Sequence, residues 1–452
     1  MIVFNKRLIF WLIKAYFKKS WKMLILFFLL GLSIFFAILF SSHYISQAIP
    51  VFKKQSIGVI GAYRQTNLPP IITNKFSRGL TRIDADGSVK PDLAEKWEVK
   101  DSGKTYVFHL KKDQYFSDGK NVTSDKISYN FSDVTVERPD EYTIIFKLKE
   151  PYAPFLITVA KGVFAQGNVG ISDYKIEDID LNGDFVQSLS MVSVKNRFDT
   201  IRFQFYPSEE ALKLAFLLGE ISEANGLTNS FYTDIDLSVM PNASAKKVTN
   251  YSRLVTLFYN TTDSTLSDRI VRIALSYALP DTYQAGEKTY FPYSPKSIFY
   301  NHSISERKQD FEHAIGLLDS AQVASEGGKL SLSIKTLQQY RQTADLIARE
   351  WEKAGIETTV EEVSGIPDTF QIFLGDFSVP QDPDQYSLWH SGQNNNITRY
   401  RNLRIDKLLE DGRKTVNESE RKSLYADFQR FLMEDVPASF LYFPYEYDII
   451  RK

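Results

Sequence analysis

The fold is decided by residues 77–131. They begin Ser77-Arg-Gly-Leu-Thr-Arg-Ile-Asp-Ala-Asp86-Gly87-Ser-Val-Lys-Pro91-Asp-Leu-Ala-Glu-Lys-Trp97-Glu-Val and run on through Tyr106, Ser117-Asp118-Gly119 and Ser124-Asp125 to Phe131. Asp86-Gly87 lies between short apolar runs, the signature of a tight turn. The residues from Pro91 to Trp97 read as a short helical turn entered through a proline. Tyr106, Phe108 and Leu110 alternate with other residues, which predicts one face of a strand. Ser117-Asp118-Gly119 makes the next turn, and Ser124-Asp125 is expected to cap a short helix holding Ile127 and Phe131.

Outward from this stretch, four further blocks follow in order. They are Val169-Gly170-Ile171-Ser172-Asp173-Tyr174-Lys175-Ile176; Phe205-Tyr206-Pro207-Ser208-Glu209-Glu210 leading into Leu218-Gly219-Glu220-Ile221; Phe258-Tyr259-Asn260-Thr261 with the run 271–278; and Tyr400-Arg401-Asn402 through Asp435-Val436-Pro437-Ala438. With these blocks in this order, the chain resembles the extracytoplasmic solute-binding proteins that serve peptide and nickel ABC importers, family 5, of the dipeptide/oligopeptide-binding type. The first block is similar to that family's valine-glycine-threonine-glycine-proline-tyrosine signature, with its second glycine and its proline replaced.

Composition is that of a folded protein: 452 residues, 24% charged and 43% hydrophobic, enough chain for two or more compact units. A net charge of -1 offers no basic footprint for nucleic acid. With no cysteine, disulfides, thiolate metal sites and a cysteine nucleophile are excluded. The lipidated cysteine that tethers many family members is excluded too.

Residues 23–40 form an uninterrupted apolar run that would rise about 27 Å as a helix, against roughly 30 Å of hydrocarbon in a bilayer. Lys6, Arg7, Lys14, Lys18, Lys19 and Lys22 all precede it. The positive-inside rule therefore expects a cytoplasmic amino terminus, a single-pass anchor in the cell membrane and an extracytoplasmic domain. A cleaved signal peptide is the alternative, with Ser46 and Ala48 at cleavage-like spacing. Residues 4–19 interleave aromatics with lysines, as does an amphipathic helix on the inner membrane surface, with a simple extended cytoplasmic leader as the alternative.

Beyond the anchor, strand and helix signals alternate. Residues 56–61 read as a first strand. Leu212, Ala215, Phe216 and Gly219 share a helical face, as do Phe311, Ala314, Ile315 and Leu318, and Ala344, Ile347, Ala348 and Trp351. Gly355 ends the last of these helices, and Ile356, Thr358 and Val360 then alternate as a strand. Alternation along Phe440-Leu441-Tyr442-Phe443 predicts a buried final strand.

The fold class expected is α/β, a two-lobed periplasmic-binding-protein-like (Venus flytrap) fold with an extra inserted lobe, preceded by one transmembrane helix. The resemblance implies two lobes joined by crossing strands and closing on ligand. Residues 1–22 form a basic cytoplasmic leader, 23–41 the anchor and 42–55 a tether. Lobe I takes 56–76, 164–250 and 440–452; the inserted lobe takes 77–163 and lobe II takes 251–439.

A peptide needs an anionic partner for its ammonium group, a cationic or amide-rich partner for its carboxylate, and backbone partners for its amides. In peptide-binding members the ammonium partner is an aspartate that follows a hydrophobic strand and precedes an Asp-Pro loop. Ile372-Phe373-Leu374-Gly375-Asp376 precedes Gln381-Asp382-Pro383-Asp384 here, across a longer spacer. The resemblance thus places that role on Asp376, with Asp382 as the second candidate, while a turn cap is the plain alternative for Asp376. Tyr386 and Trp389 are candidates for a side-chain pocket, Asn394 for backbone amides and Arg399 for a carboxylate. A core tryptophan, a polar surface loop and a solvated arginine are the plain alternatives.

Enzyme signatures are missing from the sequence. His43, His109, His302, His313 and His390 lack metal-ligand spacing. Asp84-Ala85-Asp86-Gly87 opens like a calcium loop without the distal glutamate, and there is no phosphate loop or nucleophile elbow. The expectation is a monomeric, membrane-anchored receptor that is not an enzyme and carries no cofactor. It captures short peptides and delivers them to an ABC permease and its ATPase subunits. A nickel or metal chelate or an oligosaccharide on the same fold, or a surface interaction protein that no longer serves transport, are the alternatives.

Overall fold

The computed structural model describes residues 6–48, 53–165, 169–321 and 330–452. Two compact units emerge: the smaller holds the amino-terminal part up to Lys54 with Asn196–Thr200, the larger Gln55–Lys195 and Ile201–Lys452.

In the smaller unit α1 (Lys6–Ala48) spans 43 residues without a proline. It continues through residues 42–48, which the sequence reading assigns to a tether; 49–52 lie outside the described residues. Among the described residues no single helix is long and apolar enough to cross a membrane. The stretches Lys14–Met23 and Ile25–Phe36 meet that requirement only as a pair, bent by 53°.

β1 (Lys53–Ile60), which enters the larger unit at Gln55, leads to α2 (Pro70–Phe76), which opens on a proline at its first position. Next come β2 (Thr81–Ile83) and β3 (Val89–Pro91), a hairpin around Asp86-Gly87, where Gly87 takes the left-handed φ of +83° that the turn needs. A four-stranded antiparallel sheet follows, of β4 (Ala94–Lys100), β5 (Thr105–Leu110), β6 (Val134–Asp140) and β7 (Thr143–Leu148), in the order β4-β5-β7-β6. Tyr106, Phe108 and Leu110 face its core as expected, beneath the short α3 (Phe155–Thr158).

Two local expectations are corrected here. Residues 91–97 form no helical turn: Pro91 ends β3, and Ala94–Lys100 pairs with β5 from Ala94↔Leu110 to Lys100↔Thr105. Long-range pairing overrides the local signal, because Leu93 and Ala94 are buried under the sheet while Lys96 and Glu98 alternate outward. Ser124-Asp125 caps no helix holding Ile127 and Phe131. Only Ser124–Lys126 makes a 3₁₀ turn, and the Ser124 hydroxyl donates to Asp140 O (2.6 Å), leaving Ile127 extended.

The chain continues through β8 (Tyr174–Asn182), β9 (Phe185–Ser193), β10 (Asp199–Tyr206), α4 (Glu209–Leu218), β11 (Glu223–Leu227), the small hairpin β12 (Phe231–Tyr232) and β13 (Ile235–Asp236), and β14 (Ala243–Thr249). Ser208 caps α4, and Gly219 ends it at φ +81°. Then come β15 (Arg253–Tyr259), α5 (Arg269–Tyr277), β16 (Gly286–Lys288), α6 (Phe311–Ser320), β17 (Leu330–Leu337), α7 (Arg341–Lys353), β18 (Ile356–Val363) and β19 (Ile372–Ser378). The last elements are α8 (Tyr386–Trp389), α9 (Leu403–Lys414), α10 (Glu418–Asp435) and β20 (Ala438–Arg451).

One twelve-stranded mixed sheet runs β18-β17-β19-β15-β20-β11-β1-β10-β9-β8, with β14 and β16 also paired to β20. β20 is the strand shared by both halves: its first part pairs with β15 and β16, its last part with β11 and β14. Its burial is as expected, but strict alternation is not. Val255↔Tyr442 is followed by Thr256↔Phe440, so Leu441 is an inserted bulge residue. Leu441 and Tyr442 therefore enter one core, with Trp351 and Ile347, while Phe440 and Phe443 enter the core on the other face, with Trp389 and Phe428. Those cores are built by residues that the sequence reading places in lobe II, although it assigns 440–443 to lobe I.

Candidate functional site

In open α/β sheets, ligands bind beyond the carboxyl ends of parallel strands. β17, β18 and β19 are mutually parallel, and β1 parallels β11, so each half of the sheet has such an edge. Register brings both edges to the crossing strand. Ser378 lies opposite Arg253, Val255 opposite Tyr442, and Leu227 opposite Tyr447. The two edges thus meet where the chain crosses at residues 249–253 and 443–447.

The crossing is knitted by polar groups. Asn250 N–H donates to Pro444 O (2.9 Å), and its side-chain amide donates to Glu446 (2.6 Å). The Tyr251 and Thr249 hydroxyls both donate to the Glu287 carboxylate (2.7 and 3.0 Å). At the edge of the second half, Arg253 Nε lies 2.9 Å from Asp376 Oδ2, with side chains 43% and 17% exposed. Burial, and next the Asp376 carboxylate, pushes the neighbouring Tyr340 hydroxyl up from its ordinary pKa.

The other expected residues lie in or beside the loop 379–402. Asp382 is buried and bound bidentately by Arg421, whose Nη1 sits 2.8 Å from Oδ2 and whose Nε donates to Gly412 O. Both of its oxygens are engaged by Arg421. Asp384 meets Arg413 at 2.9 Å, and burial raises its carboxyl pKa despite that cation. Tyr386 is half-buried, stacks on His390 and carries the Arg413 guanidinium 4.4 Å above its ring. Trp389 is a core residue, 1% exposed, its indole donating to Gln385 Oε1 (2.8 Å). Asn394 is exposed, and it is Asn396 that is buried, donating to Tyr400 O (2.8 Å). Arg399, at φ +54°, is exposed and donates to Asp368 O (2.6 Å).

Of the six candidates, then, Asp376 alone reaches the strand edge. Asp382 and Tyr386 gather around Arg421 and Arg413, while Trp389, Asn394 and Arg399 sit apart. Two cavities open where the four-stranded module meets this loop, and neither reaches Asp376. One, of about 610 Å³, is lined by Tyr152, Tyr386, Glu410 and Arg413. The other, of about 270 Å³, is lined by Trp97, Tyr106, Phe299, Asp382 and Arg421. Backbone bonds fasten the same boundary: Ala153 N–H to Arg413 O (2.7 Å) and Ile298 N–H to Asp86 O (3.0 Å).

Sequence reasoning missed Arg253, Tyr340, Arg413 and Arg421. Arg253 left one trace, a lone charge opening the apolar run 254–259. The others acquire partners from far along the chain, 39 residues away in the case of Arg421 and Asp382. Among the described residues no group of three or more His, Cys, Asp or Glu side chains is placed to hold a metal ion.

The model of "Bacterial extracellular solute-binding proteins, family 5 Middle" matches residues 88–398. The oligopeptide-binding protein AppA of Bacillus subtilis is 25% identical over 82% of this chain and 81% of its own length. Its solved structure, in complex with a nonapeptide, aligns at TM-score 0.65 over 89% of this chain and 95% of that chain, at 21% identity. Di/tripeptide-binding protein 1 of Pseudomonas aeruginosa is 26% identical over 83% of this chain and 84% of its own. NikZ of Campylobacter jejuni, solved in complex with Ni(L-His), aligns at TM-score 0.69 and 21% identity over 89% of this chain and 94% of that one.

Proposed function

Because this chain belongs to the bacterial extracellular solute-binding proteins of family 5, we propose that it captures short peptides outside the cytoplasm and hands them to an ABC permease. The observation that carries this reading is its similarity, over four-fifths of its length, to relatives named for binding oligopeptides, dipeptides and tripeptides. The two strand edges flanking the crossing at 249–253 and 443–447 would enclose the ligand. Ligand contacts to both halves favour the closed population, since a ligand shifts an equilibrium by its differential affinity for the two states. No bond is made or broken in this reading. Residues 56–76 and 164–250 with the end of β20 form the first lobe, 77–163 the inserted lobe and 251–439 the second.

We place the protein at the membrane through α1. Leu26, Phe27, Phe28, Leu29 and Leu30 are all exposed along it, and lysines precede them. A retained anchor predicts that the chain stays with membranes through alkaline carbonate washing, and release into the wash would refute it.

Native mass spectrometry of the full chain released from detergent micelles, challenged with a defined peptide mixture, tests the function. A bound mass series that fragments as peptides supports peptide capture and reports the preferred length. Uptake of a nickel–histidine chelate or an oligosaccharide in place of peptides would overturn it in favour of another solute. Indifference to every solute would favour a surface interaction protein.

A further inference from the structure

Arg253 and Asp376 are diagonal neighbours on one face of the paired strands β15 and β19, since Asp376 faces Val255 and Arg253 stands two residues earlier. Arg253 Nε makes the nearest approach to the carboxylate, 2.9 Å from Oδ2. Neither terminal guanidinium nitrogen donates a hydrogen bond among the described residues, and the side chain remains 43% exposed. A guanidinium presents five N–H donors and no acceptor, so the unused face can receive only carbonyl, carboxylate or similar oxygen atoms. Asp376, for its part, carries its own counter-ion and has Tyr340 beside it. An ammonium approaching the pair is attracted by one charge and repelled by the other over similar distances, so most of the Coulombic gain cancels.

We infer that Arg253 is a specificity-determining residue of the cleft: held by Asp376, it receives a carbonyl of the ligand, so that this protein takes peptides without requiring a free amino terminus. The inference rests on the peptide reading above. N-acylated peptides are therefore ligands as good as their free counterparts, and Asp376 acts as a positioning residue for the guanidinium.

The test is calorimetric titration of the full chain in detergent with a pentapeptide library, in one form with free amino termini and in a second form N-acetylated. Wild type is expected to bind the two forms within threefold of each other. R253Q, which frees the Asp376 carboxylate, is expected to shift the preference at least tenfold toward the free amino terminus, while R253K, which keeps the charge, stays near wild type. A tenfold loss on acetylation in wild type, or an unchanged ratio in R253Q with unchanged thermal unfolding, overturns the inference and leaves peptide capture standing. Failure of wild type to bind either form overturns peptide capture itself.

Discussion

Asp382 and Arg421 form a buried ion pair with side chains only 9% and 8% exposed, and Arg421 also donates to Gly412 O. Arg421→Ala strands an unpaired carboxylate in the core and is expected to cost about 3–5 kcal/mol in urea unfolding. D382L/R421L, which removes both charges, is expected to cost less than the single change. Lys288 makes a different case, its ammonium 5.0 Å from the Tyr283 ring centre and 4.6 Å from that of Tyr290. Burial lowers its pKa from 10.5 to about 8, with Asp281 and Glu306 opposing. Below about pH 8 both folded and unfolded states hold the proton and folding bears the whole burial cost. Between about 8 and 10.5 the unfolded state binds more protons, so stability rises with pH through that window. Lys288→Met is expected to abolish that rise and to stabilise the protein at pH 7, as thermal melts across pH 7–10.5 would show. A melt series in which Lys288→Met keeps the wild-type slope contradicts the assignment.

The strands expected at 56–61, 106–110, 356–360 and 440–443 form, as do three of the expected helices, whereas the short helices expected at 91–97 and 124–131 do not. α4, α6 and α7 follow the apolar spacing read from the sequence, with N-caps at Ser208 and Asp310. Ile315 departs from its expected core stripe and is 40% exposed. Ala94–Lys100 misled because its strand character comes from β5, not from its own residues. The signature at 169–174 shows the same dependence on distant chain. A β-carbon on Gly170 would fall 1.7 Å from Phe76 O, a backbone atom at the end of α2 that cannot yield without moving the helix. Gly170→Ala is therefore expected to destabilise by about 1–3 kcal/mol, the usual cost of overpacking, read as a lowered melting temperature. A melt indistinguishable from wild type would mean that this close approach is not maintained in solution.

On the proposed reading of ligand-driven closure, the hinge is expected where β14 passes into β15 and where β20 crosses between half-sheets, since a few backbone dihedrals at such crossings can swing large bodies. Asn250, bonded to both Pro444 and Glu446, ties the two crossings together. Small-angle scattering of the full chain in matched-out detergent is expected to show a smaller radius of gyration when the preferred peptide is present. Asn250→Ala is expected to change the population of closed molecules without removing a ligand contact, which fluorescence transfer between labels on the two halves would follow. An unchanged transfer efficiency in both the variant and the peptide-bound protein would argue against ligand-driven closure.

By itself the sequence determined the family, the α/β class, three of the helices and the strand that carries Asp376. Those follow from local periodicity, turn chemistry and the order of short motifs, all carried by neighbouring residues. Tertiary structure alone decided which polar groups are free to act. Asp376 and Asp382 look equivalent along the chain, six residues apart in similar company. Yet one forms an ion pair with a half-exposed arginine and the other is hydrogen-bonded by both arms of a buried one. Their difference rests on Arg253 and Arg421, whose places are set by sheet register and helix packing, and no local pattern encodes which distant cation a carboxylate will meet.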